Sequence, residues 1–312
     1  MNEKNHRKKI CADRSEELKR RLGISEFNEY QMFPKYFMVG TVNYCNAHCT
    51  MCPHRNGNYG GMMMEDKLFV KITQEMSGYN DWIEQVALYW FGEPTLDKKI
   101  VERIRRLKDA GIRSIQLSTN AELLNEELAV SLLYAGLDDL RLSIDAFSKE
   151  TYKKIRLGLD YNKVIENANS VINIRNNSYS SVKIQVRFVE QDFNHDEVED
   201  FREYWENRLN PKEDKVVIIR QHTHSGWDSA DMTRINIDDL ACVSLFSTMV
   251  IDSDGKVPLC CLDTSKKISF GDLNDQTIKE IWGGCLWEEI RKMHLSSGRG
   301  AYETCKGCDM WE

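Results

Sequence analysis

Cys45, Cys49 and Cys52 lie in the run Cys45-Asn-Ala-His-Cys49-Thr-Met-Cys52, a C-x-x-x-C-x-x-C spacing. Three thiolates this close can take three corners of a cubane iron–sulfur cluster from one loop, because soft sulfur donors suit iron. A cubane has a fourth corner, so one iron is left open to chelate a substrate or cofactor. Two plainer readings compete on spacing alone. Zinc with His48 or His54 as a fourth ligand would close a tetrahedral site, and three packed thiols would need no ligand at all.

The chain of 312 residues carries ten cysteines. None occurs between Cys52 and Cys242; then Cys242, Cys260, Cys261, Cys285, Cys305 and Cys308 follow, and Cys11 stands apart from both groups. The N-terminus is basic and then charged where a signal peptide needs an apolar run, and no window nears the roughly 18 apolar residues of a membrane span. The expectation is a cytoplasmic chain with no membrane partner, in whose reducing surroundings thiols are ligands or nucleophiles more often than disulfides. Lys and Arg total 42 against 49 Asp and Glu, a net charge of −7, which argues against a nucleic-acid partner.

The residues that must position these thiols alternate strand and helix patterns. Tyr36–Val42, Gln85–Phe91, Ser114–Ser118, Asp139–Ile144, Val182–Val189 and Lys215–Arg220 read as strands. Met64–Met76, Lys98–Ala110, Asn125–Ala135, Lys149–Arg156, Lys163–Asn176 and His195–Leu209 read as the helices between them. That order implies βαβ units and a parallel sheet, and six units favour an α/β fold built as a partial (β/α)6 barrel. Barrel function gathers at the C-terminal ends of strands, and the first thiols directly follow the first strand. Past Leu240 the texture changes. Thr248–Asp252, a Ser253-Asp254-Gly255 turn and Lys256–Cys260 predict a β-hairpin, with short helices over Asp275–Trp282 and Trp287–Leu295. The division expected is an N-terminal arm (1–35), a barrel (36–240) and a small C-terminal domain (241–312).

Four segments in chain order carry a resemblance. They are the cysteine loop, Trp90-Phe-Gly-Glu-Pro-Thr-Leu96 at the end of the second strand, Ser118-Thr-Asn-Ala121 at the end of the third, and Ser143-Ile-Asp-Ala-Phe147 at the end of the fourth, continued by Glu150 to Arg156. Together they resemble the radical S-adenosylmethionine (radical SAM) superfamily, with Phe91 where the family's Gly-Gly-Glu-Pro segment has its first glycine. The resemblance covers roughly residues 36–312. It implies S-adenosylmethionine as cofactor, with its amino and carboxylate groups on the open iron of a [4Fe-4S] cluster held by Cys45, Cys49 and Cys52. It implies cofactor contacts at Tyr44, Met51, Gly92, Glu93, Pro94, Ser118, Asn120, Ser143, Asp145 and Arg156. Gly92 would let backbone approach the ligand without a Cβ clash, and the Arg156 guanidinium suits a carboxylate. The alternative is that Ser143 and Asp145 are caps and Arg156 a solvated helix-end charge. Met51 departs from the aromatic that many relatives carry before the third cysteine, which makes that contact softer.

Cys242, Cys260, Cys305 and Cys308 form the second group. Gly255-Lys-Val-Pro-Leu-Cys260 and Gly271 to Trp282 resemble the auxiliary-cluster (SPASM) domains of the same superfamily. The chain stops at Glu312, so it is similar to the shortened twitch version, which implies a second [4Fe-4S] cluster with four cysteine ligands. A hairpin cysteine with a C-x-x-C tail also suits structural zinc. Cys261, next to a proposed ligand, reads as an alternative ligand, a packed thiol, or a catalytic hydrogen-atom donor. Cys285 and Cys11 read as packing or surface thiols.

Arg220-Gln-His-Thr-His-Ser-Gly-Trp227 would put His222 and His224 at the mouth of a barrel as substrate contacts, with Glu190 and Arg187 near the end of the fifth strand as further candidates. His54, Arg55 and Asn58 follow the cysteine loop and are placed to close over it. The resemblance implies that reduced enzyme cleaves S-adenosylmethionine to a 5′-deoxyadenosyl radical, which takes a hydrogen atom from substrate; an external donor such as flavodoxin or ferredoxin would supply the electron. Dehydrogenation follows if a second electron is lost, epimerisation if Cys261 returns a hydrogen atom. About 35 residues precede the first strand, too few for an independent peptide-binding domain, which usually needs more than about 40. A small polyol, saccharide or nucleoside-type substrate is therefore favoured, with a peptide or protein side chain as the alternative. A non-catalytic zinc protein is the reading from another class, and it leaves the Gly-Glu-Pro and fourth-strand segments unexplained.

Overall fold

The computed structural model describes residues 3–56, 60–178, 180–221, 238–264 and 269–308. Its strands are β1 (Tyr36–Val39), β2 (Gln85–Ala87), β3 (Ile115–Thr119), β4 (Asp139–Ser143), β5 (Lys183–Glu190), β6 (Lys215–Arg220) and β7 (Thr248–Ile251). Its helices are α1 (Glu3–Leu22), α2 (Asp66–Ser77), α3 (Ile100–Asp109), α4 (Glu126–Leu133), α5 (Lys149–Ile155), α6 (Tyr161–Asn176), α7 (Val198–Glu206), α8 (Ser244–Ser247), α9 (Ile278–Trp282) and α10 (Cys285–Ser297). The strands follow one another across the sheet in the order β6-β5-β4-β3-β2-β1-β7, and β2 to β6 are parallel. The sheet has two edges, so it is open; six strands in chain order with helices between them form the partial α/β barrel that the alternation predicts.

Two compact units make up the chain, one of residues 39–221 with 252–254, the other of the remaining residues. In the larger unit the helices start at side chains that accept the first free amides. Asn125 accepts from Leu128 N, Ser148 from Thr151 N and Asp160 from Asn162 N, which satisfies donors that the first helical turn leaves open.

The two faces of this sheet differ in chemistry. Leu117, Leu140, Leu142, Ile184, Val186 and Phe188 are fully buried, and Phe188 meets Phe201 of α7 edge to face at 4.8 Å between centroids. Burying each such side chain stabilises the fold by roughly 1.5–3 kcal/mol. The residues between them share the other face, because side chains alternate along a strand and partners in register point the same way. Register there pairs Gln116 with Asp139, Ser118 with Arg141, Arg141 with Gln185 and Ser143 with Arg187. That inner face is polar.

In the smaller unit, Arg14 of α1 donates from Nη1 to Leu295 O on α10 and from Nε to Asp239 O, both at 2.8 Å. Trp282 donates to Tyr30 O at 2.7 Å, and the fully buried Arg291 lies 4.1 Å over the Trp282 ring and 4.9 Å from the Tyr30 ring centroid. The expected hairpin is corrected in one respect. Gly255 makes the turn at φ +89°, but the arm after it pairs with residues 270–273: Val257 N donates to Gly271 O, Phe270 N to Val257 O and Leu273 N to Gly255 O. Pro258 removes a donor from that arm, which unsuits it to a regular two-strand ladder.

Candidate active site

The cysteine loop leaves β1 and is clamped by backbone at two places. At the first, Glu93 N donates to Tyr44 O at 3.0 Å, and a Cβ on Gly92 would stand 2.5 Å from Val42 O and 2.9 Å from Tyr44 O. No other residue fits there. The close approach that Gly92 permits is thus that of the protein's own backbone entering the loop, a different partner from the ligand that the sequence suggests. At the second, His48 N donates to Leu157 O at 2.7 Å and Thr50 N to Ile155 O at 2.9 Å. Gly158, at φ +92°, keeps this pairing close, since a Cβ there would lie 3.2 Å from Asn46 O.

The second clamp delivers Arg156 to the thiols. Its Nη1 lies 3.5 Å from Cys49 Sγ, and its guanidinium forms an ion pair with Asp145, whose side chain is wholly buried. Asp145 sits in the left-handed region at φ +66°, which aspartate tolerates better than most residues, and its Oδ1 accepts from Val189 N at 2.8 Å. Burial opposes the charge on Arg156, but Asp145 and Cys49 outweigh it and hold the pKa above the ordinary arginine value. Arg156 Nε is buried without a hydrogen-bond partner. The solvated helix-end charge weighed as an alternative for Arg156 does not describe it.

Among the thiols, burial pushes Cys45 up to about 12, with the nearby Glu93, Cys49 and Cys52 adding to it. Burial likewise pushes Cys52 up to about 11, against the pull of the His54 amide and Arg156. Such thiols become ligands only when a cation displaces their protons. His48 is exposed, and His54 Nε2 is engaged with Asn43 O at 3.0 Å while its ring packs 5.1 Å from Phe91. Phe91, where the resemblance would have a glycine, offers a surface that seats His54.

Glu93 is 3% exposed and fully used inside the protein. Its carboxylate accepts from Thr95 N and Oγ1, from Thr119 Oγ1 at 2.6 Å and from Asn120 N at 2.8 Å. Burial raises its pKa while these donors lower it. It therefore staples the end of β2 to the end of β3, with Pro94 buried in the turn that follows. Asn120 extends this frame to the cysteine loop, donating from Nδ2 to Asn46 Oδ1 at 2.8 Å. Ser118 and Ser143 have their hydroxyls 3.4 Å apart on the inner face, and Tyr44 and Met51 are half-buried beside the thiols.

The pleat puts Glu190 on the face of Phe188, opposite to Arg187, so the two candidates on β5 do not act together. His222, His224 and Asn58 lie outside the described residues. The polar inner face was missed by sequence reasoning, although the alternation in Asp139-Leu-Arg-Leu-Ser143 is its signal. Tyr89 Oη donates to Gln116 Oε1 at 2.7 Å, Arg141 Nη1 donates to Tyr89 Oη at 3.3 Å, and Asp139 Oδ2 accepts from Gln116 and Gln185.

In the smaller unit the second cysteine group also converges. Burial raises the Cys260 pKa, with the nearby Cys261, Cys242 and Cys305 adding to it. Burial pushes Cys305 up to about 12, with Cys242 and Cys308 adding to it. Cys242 N donates to His294 Nδ1 at 3.3 Å, and Asp263 N to Cys260 O at 3.2 Å. Cys261 is half-buried beside Cys260, and Cys285 is exposed. Among the described residues no three or more Cys, His, Asp or Glu side chains stand at metal-binding spacing; neutral thiols have no mutual attraction to draw them there. In donor chemistry the residues fit iron–sulfur clusters: three thiols with a partnerless buried guanidinium nitrogen beside them in one unit, and four neighbouring thiols in the other.

Comparison with known proteins agrees with this chemistry. The model of the Radical SAM superfamily matches residues 39–185, and that of the SPASM iron–sulfur cluster-binding domain matches residues 242–309. A probable GTP 3′,8-cyclase of Saccharolobus islandicus is 36% identical over 170 residues, 54% of this chain and 52% of that protein. One of Methanocaldococcus jannaschii is 31% identical over 170 residues, 53% of each. The chain thus spans about half the length of these relatives. Among solved structures, BtrN in complex with AdoMet and 2-DOIA superposes at TM-score 0.61 and 17% identity over 88% of this chain and 93% of BtrN. Streptococcus suis SuiB bound to precursor peptide SuiA superposes at TM-score 0.65 and 14% identity over 88% of this chain and 72% of SuiB. At such identities the likeness is one of fold.

Proposed function

Because the chain belongs to the radical SAM superfamily and carries a SPASM iron–sulfur domain, we propose that it takes a hydrogen atom from a small saccharide, polyol or nucleoside-type substrate. Its cofactors are S-adenosylmethionine and two iron–sulfur clusters. When bound and reduced, the first cluster would supply the one electron that cleaves S-adenosylmethionine and generates the radical. Cys45, Cys49 and Cys52 would hold the first cluster, and Cys242, Cys260, Cys305 and Cys308 the second. Arg156 keeps a fixed positive charge beside Cys49, suited to the cofactor's carboxylate. Gly92, Glu93 and Asn120 hold the loop in place. An external flavodoxin- or ferredoxin-type donor would deliver the electron, in keeping with a cytoplasmic setting; no helix among the described residues is long and apolar enough to cross a membrane.

The observation that carries this reading is the three-thiol loop held against the Asp145–Arg156 pair. The outcome after hydrogen removal depends on the chain's own thiols: Cys261 returning a hydrogen atom gives epimerisation, and loss of a second electron gives dehydrogenation. A second reading, cyclisation of a purine nucleotide, is favoured by the identity to the probable GTP 3′,8-cyclases. Both place the substrate among nucleosides and saccharides, ahead of peptides.

Incubating iron-loaded enzyme anaerobically with S-adenosylmethionine, reductant and deuterated candidates tests this directly. Deuterium is expected in 5′-deoxyadenosine from a nucleoside or saccharide carrying the label at a ring carbon. Transfer from peptides alone would overturn the substrate class.

A further inference from the structure

On the inner face of the sheet two arginines stand near one carboxylate, and only one of them is paired with it. Arg141 Nε lies 3.3 Å from Asp139 Oδ2, and that same oxygen accepts from Gln116 Nε2 at 2.7 Å and Gln185 Nε2 at 2.9 Å. Arg187 follows Gln185 on the same face, in register with Ser143. Among the described residues its guanidinium makes no hydrogen bond or ion pair. The other carboxylate nearby, Asp145, is committed to Arg156 and Val189 N. The face thus carries two fixed positive charges against one carboxylate, whose Oδ2 takes three donors and whose buried Oδ1 takes none.

A half-buried guanidinium with five donors and no acceptor is an unfavourable thing to keep in a folded protein. Burial lowers the Arg187 pKa, the nearby Arg141 lowers it further, and Tyr89, Asp145 and Asp139 counter this. A bound anion would relieve both the desolvation and the repulsion between the arginines. Planar guanidinium forks match the paired oxygens of carboxylate and phosphate, and the Ser118 and Ser143 hydroxyls on the same face add neutral donors.

We infer that Arg187 and Arg141 bind an oxyanion of the substrate, a phosphate or a carboxylate, which makes the substrate an anionic derivative and not a neutral polyol. This deepens the radical-enzyme reading and rests on it. The site adjoins the thiol loop through Asp145, whose amide donates to Arg187 O at 3.3 Å. An anion held there orients a substrate by its charged end, leaving the other end for the reaction.

The test is calorimetric titration of the iron-loaded enzyme, saturated with S-adenosylmethionine so that the cofactor's own carboxylate site is filled. Inorganic pyrophosphate and malonate are the two probes. At least one is expected to bind, with a Kd weakened roughly tenfold or more in Arg187→Gln and Arg141→Gln. Arg187→Lys is expected to recover part of the loss, which separates lost charge from lost fold; iron content and circular dichroism check each variant. Preference for pyrophosphate identifies a phosphate, preference for malonate a carboxylate. Absence of binding by either probe to the wild-type enzyme, or equal binding in wild type and both glutamine variants, overturns the inference. Cleavage of S-adenosylmethionine, measured on the same wild-type sample, is independent of these titrations: its absence would sink the radical-enzyme reading, whereas cleavage without anion binding sinks only this one.

Discussion

Cys45→Ala is expected to abolish formation of 5′-deoxyadenosine from S-adenosylmethionine under anaerobic, reducing conditions. The loop supplies three thiols, and a cubane held by two of them loses the geometry that leaves one corner for the cofactor. Perturbing the surroundings of a metal ligand already lowers activity by about 10–100-fold, so loss of a ligand is expected to exceed roughly 100-fold. Bound iron should fall by about four per chain, leaving the second cluster in the other unit. Cys11→Ala is the matched control. Cys11 lies on α1, where its thiol meets Leu295 O at 3.5 Å, far in sequence from the loop, and its variant is expected to cleave the cofactor like wild type. Product formation by Cys45→Ala at the wild-type rate would refute the assignment of the first group.

The second large effect is expected at the Asp145–Arg156 pair. Both side chains are buried, at 0% and 11% exposure, and Arg156 also touches Cys49. Arg156→Ala leaves the Asp145 carboxylate buried opposite nothing, which typically costs about 3–5 kcal/mol. For a chain of this size that lowers Tm by roughly 10 °C. The double variant Arg156→Ala/Asp145→Ala removes both charges and should recover part of the loss, because the penalty lies in the unpaired charge more than in the lost attraction. Arg156→Lys keeps the charge but not the planar fork. Its expected signature is a raised KM for S-adenosylmethionine with less loss of stability. An unchanged KM in Arg156→Lys would leave Arg156 a purely structural partner of Asp145.

How far the sequence carried each of these points differs for physical reasons. The β1 to β6 order was legible because strand and helix periods alternate clearly, and the thiol spacing was legible because it is local. Glu93 was legible as part of a motif but not in what its carboxylate bonds. Its partners Thr119 and Asn120 lie over twenty residues away, and only the packed strand ends reveal that its carboxylate is consumed inside the frame. Gly92 is similar: the glycine is required by the backbone of residues 42 and 44, a contact that no local pattern encodes. The alternative partner of the Gly255 turn was signalled by Pro258, whose missing donor the Asp-Gly turn signal outweighed. The inner face was signalled as well. Alternate polar residues in β4 mark a strand with one apolar and one polar side, yet the run reads only as a strand until register sets Arg141 beside Gln185 and Ser143 beside Arg187.

The central claim is that both cysteine groups hold iron–sulfur clusters, the first of them open to S-adenosylmethionine. Iron, acid-labile sulfide and zinc, determined together in anaerobically purified protein, test it most directly. The account predicts about eight irons and eight sulfides per chain and no stoichiometric zinc; two zincs per chain without iron would contradict it.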